Sequence, residues 1–186
     1  QVNPFTGTIS PLFPIPNTYI ANGSVAFDHA RGRYIFNGRD DQGNGAFFAV
    51  SVNGDTIVQA PYTNPSPFPI GLEYDLQLDT TVGLWYDTQT DIQYLVHLNL
   101  QDGSFTQIAP LNGVSYVKLG TMALNSNTHR YVFIGLDSAF NKYYYYVNTQ
   151  TGQIIYQIPI AEDPNFGALH FDNNTDRLYG LSSEVD

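Results

Sequence analysis

Cysteine is absent from the 186 residues, lysine occurs twice, and methionine and tryptophan once each. Without cysteine there are no disulfides and no thiolate metal sites. The basic residues are Lys118, Lys142 and five arginines against 17 acids, for a formal net charge of −10. Nucleic acids call for basic patches, so that balance excludes them as partners, and it disfavours anionic membrane surfaces too. No apolar run approaches the ~20 residues of a membrane helix, so no membrane insertion is expected. Charged residues of all kinds make up only 13%, against about 25% in an ordinary soluble domain.

In their place stand 14 tyrosines, 12 phenylalanines, 16 glycines and 11 prolines. Aromatic and β-branched residues favour strands, and glycine, proline and asparagine favour turns. The length suits one domain, 1–186, with a sizeable core. No window shows the 3.6-residue periodicity of an amphipathic helix. In NKYYYYV (141–147) four tyrosines follow one another. On a strand Tyr143 and Tyr145 share one face and Tyr144 and Tyr146 the other, so both faces must be covered.

Two landmarks recur at a near-constant interval. The first is the turn glycine of VNPFTG, VNGD, NLQDG and VNTQTG: Gly7, Gly54, Gly103 and Gly152, spaced 47, 49 and 49. The second is an apolar residue, then Asp or Asn, a polar turn and an aromatic strand. It falls in AFDHARGRYIF, QLDTTVGLWY, ALNSNTHRYVF and HFDNNTDRLYG, with Asp28, Asp79, Asn125 and Asp172 as markers. Repeat units of approximately 1–50, 51–98, 99–147 and 148–186 follow. Each holds four short strands, in the third unit roughly 118–124, 130–136, 142–148 and 153–159.

Four strands per repeat of ~40–50 residues is the signature of a propeller blade. Along its whole length the chain resembles β-propeller repeat proteins. It carries no Trp-Asp dipeptide, paired glycines or tryptophan-rich docking motif that would narrow the family. The resemblance implies an all-β fold, a propeller of about four blades. One blade is shared by the N- and C-terminal segments, with TGTISPLFPI (6–15) as its fourth strand. That blade is short of a strand. Intact units run 19 to 22 residues from the head of the second strand to the turn glycine, whereas 16 are available across the termini. A frayed three-stranded blade, a slot filled by strand addition from another chain, and a larger ring completed by a second copy all fit that count.

Candidate chemistry sits where innermost strands line a channel. One face of these strands reads as core: Val25, Leu76, Met122 and Leu169, with Phe27, Leu78, Leu124 and Phe171. The other carries Ala26, Gln77, Ala123 and His170, with Asp75 and Glu73 below. Glu73, Asp75, Gln77 and His170 are therefore the ligand-binding candidates, suited to a cation or a sugar. No nucleophile elbow is present, and no histidine spacing converges on a metal. Asp40 and Asn44 in GRDDQGNGAFF partly match a calcium loop, but the distal bidentate acid is missing and a hairpin turn is the favoured reading.

The expectation is a non-enzymatic scaffold or interaction module without a cofactor. It would self-assemble through the incomplete blade, with Gln1, Val2, Leu178, Tyr179, Leu181 and Val185 as assembly residues. Its partners would be further copies of itself or another extracellular protein. Glycans are the partners in the alternative, a carbohydrate-binding propeller; a glycan-active enzyme ranks third. The chain opens on Gln1 rather than Met, as a processed or excised product would, and the expected location is extracellular.

Overall fold

The computed structural model describes residues 5, 6, 8, 19–40, 42–63, 68–160 and 165–183. Gln1, Val2, Gly7 and Val185 lie outside these residues, as does most of the expected fourth strand at 6–15. The described residues form fourteen strands and no helix. Blade 1 comprises β1 (Tyr19–Asp28), β2 (Arg33–Arg39), β3 (Gly45–Ser51) and β4 (Thr56–Pro61). Blade 2 comprises β5 (Ile70–Asp75), β6 (Thr80–Asp87), β7 (Ile92–Asn99) and β8 (Ser104–Pro110). Blade 3 comprises β9 (Tyr116–Asn125), β10 (Arg130–Leu136), β11 (Lys142–Asn148) and β12 (Ile154–Pro159). Blade 4 is the pair β13 (Asn165–Asp172) and β14 (Arg177–Ser183). Each sheet is an antiparallel meander in chain order. Neighbouring inner strands β1, β5, β9 and β13 pack against one another in that sequence. The sheets straddle the repeat windows counted from the sequence, because those windows were phased on the turn before each fourth strand.

The tyrosine run is β11, and both of its faces are in use. Tyr145 is fully buried and stacks on Phe133, ring centroids 5.3 Å apart. With Tyr143 it joins the core between blades 2 and 3, where Val82, Leu84, Leu95 and Leu111 supply the opposite wall. Tyr144 and Tyr146 turn the other way, into the layer that Leu169 and Phe171 of β13 complete. A strand sandwiched between two sheets has no wet face, so alternation of apolar and polar residues disappears.

The glycine landmark has a physical cause. Gly54, Gly103 and Gly152 all hold positive φ in the turn before a fourth strand, a conformation cheap only for glycine. Gly103 also packs against blade 1: a Cβ there would lie 1.8 Å from the Pro61 carbonyl oxygen. Gly152 meets Ala109 of blade 2 in the same way. Turn chemistry and blade packing coincide at one residue.

The second landmark needs a correction in blade 2. The residues that end the innermost strands are Asp28, Asp75, Asn125 and Asp172, so Asp75 replaces Asp79 in the alignment. Each uses its side-chain oxygen to accept a turn N–H, from Arg31, Gln77, Asn127 and Asn174 at 2.9–3.0 Å (3.0 Å at the first three). Asp79 instead closes its turn, at φ 50°, alongside Gly32, His129 and Asp176. Leu76, Gln77 and Leu78 therefore lie in the turn, and the core positions of β5 are Leu72 and Tyr74, both buried. An acid at either end of the same turn fits the apolar–acid–turn–aromatic pattern, and Asp75 is the one that ends the strand.

Candidate functional site

With the phase corrected, the position two residues before each turn Asp or Asn holds Ala26, Glu73, Ala123 and His170. All four line one central cavity of about 290 Å³. Alanines on blades 1 and 3 leave room at the axis, and a carboxyl and an imidazole come from blades 2 and 4. Val25, Phe27 and Tyr34 of blade 1 and Phe171 of blade 4 form aromatic and aliphatic walls. Phe27 packs edge-on to His29 and tilted against Tyr34, each at 4.8 Å. No lysine or arginine is among the lining residues.

Glu73 is half-buried, and among the described residues its carboxyl has no hydrogen bond or ion pair. Burial pushes it up to about 8, because a charged carboxylate loses hydration there with no compensating donor. Tyr131 behind it is fully buried; burial first and the Glu73 charge second push its phenol well above the usual range.

The other candidates lie elsewhere. Asp75 is fully buried beneath the blade 2 turn, away from the cavity. One of its oxygens accepts the N–H groups of Gln77 (3.0 Å) and Leu78 (3.2 Å). The other accepts the Thr149 hydroxyl at 2.7 Å and lies 3.1 Å from His129 Nδ1, both on blade 3. Gln77 is exposed in that turn. Glu73 and His170 are thus brought to one cavity, and Asp75 and Gln77 are not. Asp40 Oδ1 accepts the N–H groups of Gln42 (3.0 Å) and Asn44 (2.7 Å), as Asp137 does for Ala139 and Asn141. The calcium-like stretch is a hairpin turn, and no group of three or more metal-ligating acids or imidazoles occurs among the described residues.

A feature missed in the sequence is a clasp at three of the blade junctions. The last residue of one blade's inner turn reaches back to the blade before it. Asp79 receives Arg31 through two bonds of 2.6 and 2.7 Å, and Tyr74 donates to the same carboxyl. The Arg31 guanidinium, then the Tyr74 hydroxyl, hold the Asp79 carboxyl far below the ordinary carboxylate range. His129 reaches Asp75, and Asp176 receives Arg130 and Asn125. At that position blade 1 has Gly32, with no side chain to reach blade 4. The signal was present as Asp79, His129 and Asp176 at the positive-φ turn position, legible only once the phase was correct.

Among the assembly candidates, Leu178 is half-buried against the core layer, whereas Tyr179 and Leu181 are exposed. On blade 3, Tyr156 pairs with Tyr146 and Ile158 with Tyr144, so all four share the face toward blade 4. Tyr156 is 55% exposed and Ile158 47%. Among the described residues β14 pairs with β13 alone, and nothing described covers the outer half of blade 3.

No family model matches the chain, and no curated protein matches it in sequence. Solved structures do. The β-propeller domain of the Trilobed protease from Pyrococcus furiosus, described as having an open velcro topology, shares 6% identity at TM-score 0.51, over 83% of this chain and 47% of that one. The chain thus spans about half of that protein's length. A gluconolactonase from Xanthomonas campestris gives 9% identity, TM-score 0.49, and covers 89% of this chain and 71% of that one. A chain of the nidogen/laminin complex gives 10% identity, TM-score 0.49, and 92% and 74% coverage. The four antiparallel sheets that the described residues form, of four, four, four and two strands, agree with the first of these: the chain is a β-propeller.

Proposed function

We propose that this propeller is a non-enzymatic interaction module, and that it joins further copies of itself by accepting an extended strand beside β14. The observation that carries the reading is that, among the described residues, nothing covers the outer half of blade 3, where Tyr156 and Ile158 are exposed next to the pair β13–β14. A strand laid beside β14 would complete the ladder with main-chain hydrogen bonds, the β-augmentation mode of recognition. One row of its side chains would rest on Tyr144, Tyr146, Tyr156 and Ile158. The other row would continue the surface of Tyr179 and Leu181. Exposed edges flanked by apolar faces associate unless blocked.

Light scattering after size exclusion, over a hundredfold concentration range, tests this. Association that grows with concentration and is lost in Leu181→Lys and Tyr156→Lys supports the reading. A 20.7 kDa monomer at every concentration sinks it, as does association that both variants leave unchanged.

A further inference from the structure

The central cavity holds a combination that strand addition does not use. Its carboxyl, Glu73, has no partner among the described residues, the rings of Phe27, Tyr34 and Phe171 form part of its walls, and neither lysine nor arginine lines it. We propose that the cavity binds a small organic ammonium ion, held between the Glu73 carboxylate and the rings of Phe27 and Tyr34. An ammonium supplies the missing counter-charge, and its polarised C–H or N–H groups favour aromatic faces. A volume of about 290 Å³ suits a small ligand. The net charge of −10 raises the local concentration of cations. A metal ion fits less well, because ligands beyond Glu73 and His170 do not converge.

Binding carries a proton balance. Burial keeps the Glu73 carboxyl protonated at neutral pH, so an arriving ammonium ion displaces that proton to solvent and leaves a carboxylate–ammonium pair. Other titratable groups line the same space: His29 and Tyr34 from blade 1, Tyr74 on the same strand and His170 from blade 4; Tyr131 of blade 3 lies buried behind Glu73, and Asp75 points away under its turn. A positive charge on either imidazole would oppose the ligand, in the same sense as protonation of Glu73.

Calorimetric titration with choline, whose charge does not titrate, tests the proposal. Its uncharged isostere 3,3-dimethylbutan-1-ol is the control. With a carboxyl near 8, choline affinity should rise about 90-fold from pH 6 to pH 9, with close to one proton released per choline at pH 6.5. The isostere should bind at least about tenfold more weakly at pH 9, and Glu73→Gln should remove most of the pH dependence. Three results would overturn the proposal: no choline binding at pH 9, equal binding of the isostere, or an unchanged pH slope in Glu73→Gln.

Discussion

Replacing Asp75 by alanine should cost this protein more than the same change at any equivalent turn. The Asp75 carboxyl is fully buried and serves two blades at once. Its bonds to the Gln77 and Leu78 amides close its own turn, and removing them costs about 1 kcal/mol, since those amides can turn to water. Its contacts with Thr149 and His129 cross to blade 3. Charge-assisted bonds of this kind are each worth about 1.5–3 kcal/mol when one partner is deleted. The Thr149 hydroxyl is fully buried and keeps only a long contact, 3.4 Å, to the His129 carbonyl oxygen. The total is about 4–7 kcal/mol, which at ~2–4 °C per kcal/mol is a fall in Tm of roughly 8–28 °C. Asp172→Ala is the internal control. That residue caps its turn through Asn174 and Thr175 and has no cross-blade partner among the described residues, so about 1 kcal/mol is expected. Calorimetry of both variants, with urea unfolding for the free energies, decides the matter. A loss under about 1 kcal/mol at Asp75, or equal losses at the two positions, would refute the clasp argument.

Glu73→Gln should stabilise the fold in a pH-dependent way. A carboxyl raised to about 8 favours folding while protonated, and that contribution is lost as pH rises from the unfolded value near 4.5 through 8. The amide should therefore match wild type at pH 4 and exceed it by about 1–3 kcal/mol at pH 8; an equal gain at both pH values in urea melts would contradict the buried-carboxyl account. Gly103→Ala should cost about 3 kcal/mol or more, because its Cβ would strike the Pro61 carbonyl oxygen at positive φ. Gly113→Ala has positive φ but open space, and about 1 kcal/mol is expected. Similar melting temperatures for the two glycine variants would show that blade packing does not set the landmark.

Much of the fold could be read before any coordinates because its signals are local. Gly54, Gly103 and Gly152 announce themselves as turn residues wherever they sit, and their spacing counts the blades. The run Tyr143–Tyr146 required two covered faces, and it has them between blades 2 and 4. The third unit's strands fell within two residues of their observed ends. Local signals also misled where two residues satisfied one pattern. Asp75 and Asp79 bracket a single turn, and only the pairing of β5 with β6, which sets Asp75 opposite Thr80, separates them.

The site was legible only in part. Glu73 and His170 stood out as a carboxyl and an imidazole on inner strands, and they do share the cavity. Asp75 looked like their neighbour because it lies two residues from Glu73, yet its carboxyl is drawn under the turn by bonds to blade 3. Nothing local in the sequence links Asp75 to Thr149 or Arg31 to Asp79. Strand identity and turn position follow from each residue's own backbone preferences, so sequence determined them. Which groups meet across a blade junction, and which carboxyl lines the cavity without a partner among the described residues, depends on packing one sheet against the next, and tertiary structure alone decided that.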